Sequence, residues 1–297
     1  MKSASEGRPY TFYLLAAVFI GYVLFLYGPM ITIFVLSFQG PEGGLTFPLR
    51  GVSLHWFAQL AKGVGNVDIG AAVYRSIKLA IVVTLLTVGI AVPAGLAFRR
   101  RFGGAGAVFF TAIASLIMPS IIVSLGIGVT FRLLDAGLKA LAELLGWSSF
   151  QDNFTTSMGL YTSALGAHLT WTLPFGLLIM FAILNRFNRA YEEAARDLGA
   201  TPWQGFRYVV LPIIGASVIG IGMFGFTLSW DEIARTSQAI GDANTLPLEL
   251  QGLTTSVTTP AIYALGTTAT VFSLLVIGVC LISARVLAWR RGRRSLG

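Results

Sequence analysis

Few side chains in this chain are equipped for covalent or metal chemistry. The two histidines, His55 and His168, stand far apart, and the single cysteine, Cys280, lies in an apolar run. A disulfide framework and a cysteine metal cluster are therefore excluded, and no metal site is expected. A membrane-embedded enzyme would need clustered His, Asp or Glu, so a non-catalytic chain is expected. Of the four lysines, Lys2, Lys62, Lys78 and Lys139, none sits in a glycine-rich phosphate loop of the Walker type. No ATP is expected to bind through that motif. The groups with something to offer are carboxylates. Asp231 and Glu232 follow Trp230 at the end of a long apolar stretch. Ionisable residues at such positions are costly and often mark a solute path. An acid pair beside an aromatic ring suits an organic cation, through Coulomb attraction and cation–π contact. The plainer alternative is a helix end reaching water. His168 is expected to be an interhelical hydrogen-bonding group and not a proton carrier.

The elements that must hold these groups are made for lipid. The chain of 297 residues is 55% hydrophobic and 11% charged, where a soluble domain carries roughly a quarter charged residues. Its mean hydropathy is +0.75. A membrane helix needs about 20 largely apolar residues, and six segments qualify: about 11–38, 76–98, 105–131, 156–184, 207–230 and 262–288. The first is expected to be retained as a helix and not removed as a signal peptide. With the N-terminus in the cytoplasm, about two thirds of the basic residues fall inside, including Lys2, Arg8, Arg99–Arg101, Arg186, Arg189, Arg196, Arg207 and the tail WRRGRRSLG. The net charge of +8 thus reports orientation, with the lipid bilayer as the partner and no nucleic acid. The fold class is an all-α integral membrane protein of about six transmembrane helices with both termini cytoplasmic. Within the first outer loop, 53–63 is expected to form a short interfacial helix, with Leu54, Phe57, Leu60 and Ala61 on one face and Gly63 at its end.

Residues 185–212, NRFNRAYEEAARDLGATPWQGFRYVVLP, predict two short helices meeting at a sharp corner on the cytoplasmic side. Tyr191, Ala194, Ala195 and Leu198 share one apolar face. Glu192 and Arg196, like Arg189 and Glu193, are spaced to pair along the helix. Gly199 stands where a left-handed C-cap is needed. Thr201, Pro202 and Gln204 then supply an N-cap, a proline at the first helical position and the partner of a capping box. Such a rigid lever suits a bundle moved by a soluble motor; an ordinary interfacial loop that happens to be helical is the alternative. Ala194 and Ala195 permit close approach, and Glu193 and Asp197 place carboxylates at the rim.

The pattern Glu193-Ala194-Ala195, three residues, Gly199, nine residues, Val209, one residue, Leu211-Pro212 resembles the EAA loop of bacterial binding-protein-dependent ABC importer permeases, most of all those of spermidine/putrescine importers. Val209 replaces the family's isoleucine. HLTWTLPF (168–175), FTLSWDE (226–232) and NTLPLEL (244–250) extend the resemblance. It implies a type I ABC importer permease-like core over 71–285. An accessory helix and outer loop would occupy 1–70, and a basic tail 286–297. It also implies a bacterial inner-membrane location. Its implied partners are two ABC ATPase subunits, a second and distinct homologous permease, and a periplasmic solute-binding protein. ATP and magnesium would be bound by the ATPase and no cofactor by this chain. The ATPase-coupling residues would be Glu192, Glu193, Ala194, Ala195, Arg196, Asp197, Gly199, Ala200, Thr201, Pro202, Leu211 and Pro212.

The substrate path would draw on Trp230, Asp231, Glu232, Trp171, Met118 and Ser120. Polyamine permeases carry an acid just after the proline of the third helix, where this chain has Met118-Pro119-Ser120. That departure leaves room for a monocation, a zwitterion or another amino-containing solute. An ATP-independent secondary transporter or channel is the alternative, against which stands the expected lack of charge near the centre of any helix and of an inverted repeat.

Overall fold

The computed structural model describes residues 10–64, 67–100, 102–256 and 259–294, with side chains to 286. Lys2, Arg8, Arg101 and the side chains of the basic tail lie outside the described residues. The described chain is helical, with only isolated bridges between extended residues. Among the described residues, six helices are long and apolar enough to cross a membrane: Tyr10–Leu36, Ile69–Phe98, Ser120–Leu144, Ser163–Leu184, Pro202–Trp230 and Ala261–Val286. The chain divides into two compact units. One holds the described residues up to Val67 with Gly252–Val271, and the other Asp68–Gln251 with the described residues from Phe272 onward.

In the first unit, α1 (Tyr10–Leu36) keeps Pro29 inside an unbroken helix and exposes almost all its side chains. The loop after it folds around buried Gln39. Its Oε1 accepts from Arg50 N at 2.6 Å, and its Nε2 donates to the carbonyls of Gly44 and Thr46, 3.3 Å each. Tyr263 Oη donates to Leu45 O at 2.9 Å. The short helix α2 (His55–Leu60) forms, but it buries Trp56 and Leu60 and leaves Leu54 exposed. Its inward face is thus set one turn apart by an aromatic that the apolar-face count passed over. Gly63 ends this turn at φ +95°.

The second unit is built on α3 (Ile69–Phe98), α7 (Ser163–Leu184) and α10 (Leu211–Trp230). Ala91 and Val92 of α3, Met180 and Leu184 of α7, and Ile214 and Ile221 of α10 form one buried cluster. Small residues allow this closeness, as expected where lipid supplies no hydrophobic drive between helices. A Cβ on Gly176 would lie 2.9 Å from that of Ala91, and one on Gly95 2.6 Å from that of Met180. Thr87 and Thr172 hydroxyls bond across the seam at 2.7 Å.

The expected third helix, 105–131, is two helices. α4 (Ala105–Ile117) ends at Met118, whose backbone is extended, and α5 (Ser120–Leu144) starts after Pro119. Proline disfavours helical backbone at the residue before it. Pro93 and Pro174, by contrast, sit inside unbroken helices. The membrane-length element is α5, and Arg132 and Asp135 lie near its middle. This corrects the expectation of charge-free helix centres. The Asp135 carboxylate accepts from Thr156 Oγ1 (2.6 Å), Ser157 N (2.8 Å) and the Ser157 hydroxyl, tying α5 to the loop after α6 (Ser148–Asn153).

Candidate functional site

The corner at Gly199 forms as its residues dictate. α8 (Ala190–Asp197) ends with Gly199 at φ +81°. Ala200 N donates to Ala195 O at 3.0 Å and Gly199 N to Arg196 O at 2.8 Å. These are the paired bonds of a Schellman motif, which satisfies the last carbonyls of a helix. Immediately beyond, Thr201 caps α9 (Pro202–Gly205): Gln204 N donates to Thr201 Oγ1 at 3.3 Å and Thr201 N to Gln204 Oε1 at 2.8 Å. The second helix is not a separate piece. It runs through a π-helical stretch, Phe206–Val210, straight into α10. Pro212 explains the wider winding, because it has no N–H to offer Tyr208 and its ring crowds that carbonyl. Leu211 N bonds Phe206 O instead. The single turn after the glycine corner therefore becomes the start of a membrane span, with Leu211 and Pro212 both half-buried.

The expected pairing within α8 does not form. The Glu192 carboxylate accepts from Arg99 on the distant end of α3, Nη1 at 3.0 Å and Nη2 at 2.6 Å. Arg189 Nη2 donates to Arg99 O at 3.0 Å, and the Arg99 guanidinium lies over Phe187, 5.1 Å from its centroid. A two-pronged arginine–carboxylate pair in this geometry is stronger than a pair along one exposed helix, so α8 is tied down on α3. The apolar face faces away from this anchor. Tyr191 is 55% and Leu198 89% exposed. Ala194, Glu193, Arg196 and Asp197 are exposed, and Ala195 and Ala200 half-buried.

At the other candidate region, the residues named from sequence part company. Trp230 is buried and packs on Phe272 (4.6 Å) and Phe226 (6.2 Å). Asp231 is exposed, yet packed closely enough that desolvation raises its pKa. Glu232 bends back to accept from Arg235 N at 2.8 Å. Trp171 is half-buried, and its ring lies under the guanidinium of Arg235, 4.3 Å away. Arg235 is 0% exposed. Its Nη2 donates to Ser115 O at 3.1 Å, while Nε and Nη1 have no hydrogen-bond partner among the described residues. Burial lowers its pKa, and the Glu232 carboxylate works against that shift. Met118 is exposed and Ser120 half-buried at the α4–α5 break. The aromatic ring of Trp171 thus already has a cation over it.

Sequence reasoning missed how residues 231–245 are held. Here backbone without helix is buried, so its polar groups need partners. Ser124 Oγ donates to Arg235 O (2.8 Å) and accepts from Gln238 N (3.0 Å). Ser163 Oγ donates to Ala239 O, and Ser76 Oγ accepts from Leu246 N (2.8 Å). His168 belongs to the same network, with Nδ1 2.8 Å from Ser229 Oγ and Nε2 2.8 Å from Thr236 Oγ1. Thr236 already donates its hydroxyl to Glu232 O (2.7 Å), so Nε2 carries the proton and Nδ1 accepts from Ser229. Both ring nitrogens are satisfied, as expected. The signal for the network was weak: isolated serines on apolar helices, each at a different distance from the loop.

Six helices long and apolar enough to cross a membrane, with a capped corner leading into one of them, define a multi-pass membrane protein. The chain belongs to the family described as "Binding-protein-dependent transport system inner membrane component", whose profile matches residues 87–291. It is 30% identical over 246 residues to the putrescine transport system permease protein PotI of Escherichia coli K12, covering 82% of this chain and 80% of that one. It is 29% identical over 264 residues to the spermidine/putrescine transport system permease protein PotC of Haemophilus influenzae, covering 88% and 92%. Among solved structures, a chain of a bacterial ABC transporter that imports the acidic polysaccharide alginate superposes with TM-score 0.66 at 17% identity, covering 93% of this chain and 94% of that one. A chain of the MetNI methionine ABC transporter gives 0.53 at 17%, covering 73% and 94%. These establish the type I importer permease fold. Membership in a binding-protein-dependent family goes against the ATP-independent alternative.

Proposed function

We propose that this chain is the permease subunit of an ATP-driven importer, lying in the bacterial inner membrane with both termini cytoplasmic. Residues 71–285 form the translocation core, 1–70 an accessory helix and outer loop, and 286–297 a basic tail. Two ABC ATPase subunits, holding ATP and magnesium, grip the loop over 189–203. A second, distinct permease completes the pore, and a periplasmic binding protein delivers the solute. The observation that carries this reading is the exposed apolar face of Tyr191, Ala194 and Leu198 on a helix locked at both ends, by Arg99 and by the Gly199 corner. A surface so apolar and so firmly held is suited to a partner that pushes on it.

The relatives' names favour an amino-containing solute. The cation over Trp171 and the serine at 120 favour one positive charge, or a zwitterion, over a dication, because each charge leaving water needs its own compensation. The test is co-purification of the ATPase with this chain. Leu198→Arg, at an 89% exposed position, should leave the chain folded and abolish recovery of the ATPase. Undiminished recovery with that variant would sink the assignment of the face.

A further inference from the structure

The observation that carries the function proposed above lies on one side of α8. At about 100° per residue, Tyr191, Ala194 and Leu198 fall on one side of this helix, and Arg189, Glu192, Glu193 and Arg196 on roughly the opposite one. The second side lines a cleft of about 320 Å³, which Arg99 and Arg100 close from the end of α3. That volume lies in the range of small-ligand clefts.

The charge inside is unbalanced. Arginine contributes four of the six charged side chains. Glu192 is consumed by Arg99 at 2.6 Å and 3.0 Å. Arg189 spends one donor on Arg99 O. The guanidiniums of Arg100 and Arg196 have no acceptor among the described residues. Glu193 is the one further carboxylate in the lining. The cleft therefore carries net positive charge and several unspent N–H donors.

Its position is equally specific. Arg99 and Arg100 directly follow Phe98, the last residue of a 30-residue apolar helix. The cleft thus opens where that helix leaves the hydrocarbon. Leu96 and Phe206 give it an apolar wall. Phe98 and Phe102 pair edge-on at 5.2 Å beside it, as aromatics do at a membrane boundary.

We propose that this cleft binds the phosphate group of an anionic phospholipid from the leaflet facing the ATPase. Planar guanidiniums match phosphate oxygens with two-pronged geometry. Basic pockets at the level of the cytoplasmic headgroups attract acidic lipids over zwitterionic ones. A headgroup held by Arg100 and Arg196 bridges α3 to α8, so the lipid braces the lever on the face opposite the motor. The leaflet assignment rests on the function proposed above.

The test is lipid retention by the purified chain, with whatever subunits accompany it, in native mass spectrometry after exposure to phosphatidylglycerol or phosphatidylcholine. The wild type should retain phosphatidylglycerol selectively. Arg100→Gln should weaken retention about fivefold and Arg100→Gln with Arg196→Gln roughly thirtyfold, at about one basic contact's worth each. Arg100→Lys should keep most of it. Millimolar inorganic phosphate should not displace the lipid. Equal retention by wild type and double variant would overturn the site. Displacement by inorganic phosphate would overturn the lipid in favour of soluble phosphate. Arg100 lies outside the coupling loop, so ATPase co-purification with Arg100→Gln separates the two proposals. An ATPase missing from the wild type while lipid retention stays selective refutes the function alone, and Arg100→Gln that recovers the ATPase with undiminished lipid retention refutes the lipid site alone.

Discussion

Replacing Gly199 with valine should uncouple ATP hydrolysis from uptake, and the structure sets the size of the effect. Gly199 has φ +81°, and no atom lies within 4 Å of a Cβ built on it. The substitution therefore meets no packing clash, and its whole cost is backbone strain. A left-handed conformation costs a non-glycine residue roughly 1–2 kcal/mol, with β-branched side chains at the unfavourable end. That shifts the corner roughly 5–30-fold against its capped form. A chain that escapes the strain by leaving this conformation loses the bonds from Ala200 N to Ala195 O and from Gly199 N to Arg196 O. The angle between α8 and the helix starting at Pro202 is then no longer fixed. The assay is solute uptake and ATP hydrolysis measured together in proteoliposomes containing the assembled transporter. Hydrolysis should persist while uptake falls, and the order should be Gly, Asn, Ala, Val, because asparagine tolerates the left-handed region best. A valine variant importing at the wild-type ratio of solute to ATP would refute the claim that this corner transmits force.

Two further outcomes follow from the same geometry. In a double-mutant cycle on Arg99 and Glu192, thermal unfolding in detergent should give a coupling of about 1–2 kcal/mol, above the ~0–1 kcal/mol of exposed pairs. The reason is two-pronged geometry at side chains only 14% and 20% exposed, and simple additivity would show that α8 is not anchored there. Arg235→Met should leave thermal stability unchanged or raise it, whereas Arg235→Ala should lower it by about 2–4 kcal/mol, since an incompletely paired buried cation is replaced well by an apolar side chain and poorly by a void. Equal losses for both variants would show that the charge itself holds residues 231–245 in place.

The parts of this molecule legible in the sequence were those whose cause is local. Gly199, Thr201 and Gln204 act within five residues of one another, and their bonds form as the spacing requires. Five of the six spans follow from composition, because a long apolar helix needs no partner to be recognised; the third, expected over 105–131, is Ser120–Leu144 instead. Long-range facts stayed hidden. Glu192 had a correctly spaced partner in Arg196, yet it bonds to Arg99, 93 residues away; only the packing of α3 against α7 brings that arginine within reach. The break at Pro119 was hidden because α4 and the start of α5 are equally apolar, so a hydropathy window runs through it. Proline at 93 and 174 does not break its helix, so residue type alone could not decide the matter. At the candidate path, Asp231, Glu232 and Trp230 are adjacent in sequence, but buried packing, exposure and a turn send them to different neighbours. Arg235 lies three residues beyond Glu232 and is fully buried. Its burial depends on Ser115 and Trp171, which no local pattern connects to it.

In the function proposed above, this chain moves solute only when a separate ATPase drives it. The most direct test of that function is uptake into proteoliposomes containing the purified chain with its co-purifying subunits, solute-loaded binding protein outside and ATP inside. Uptake should require both ATP and the binding protein and stop when either is withheld. Uptake that proceeds without ATP, or that follows an imposed ion gradient, would contradict that function.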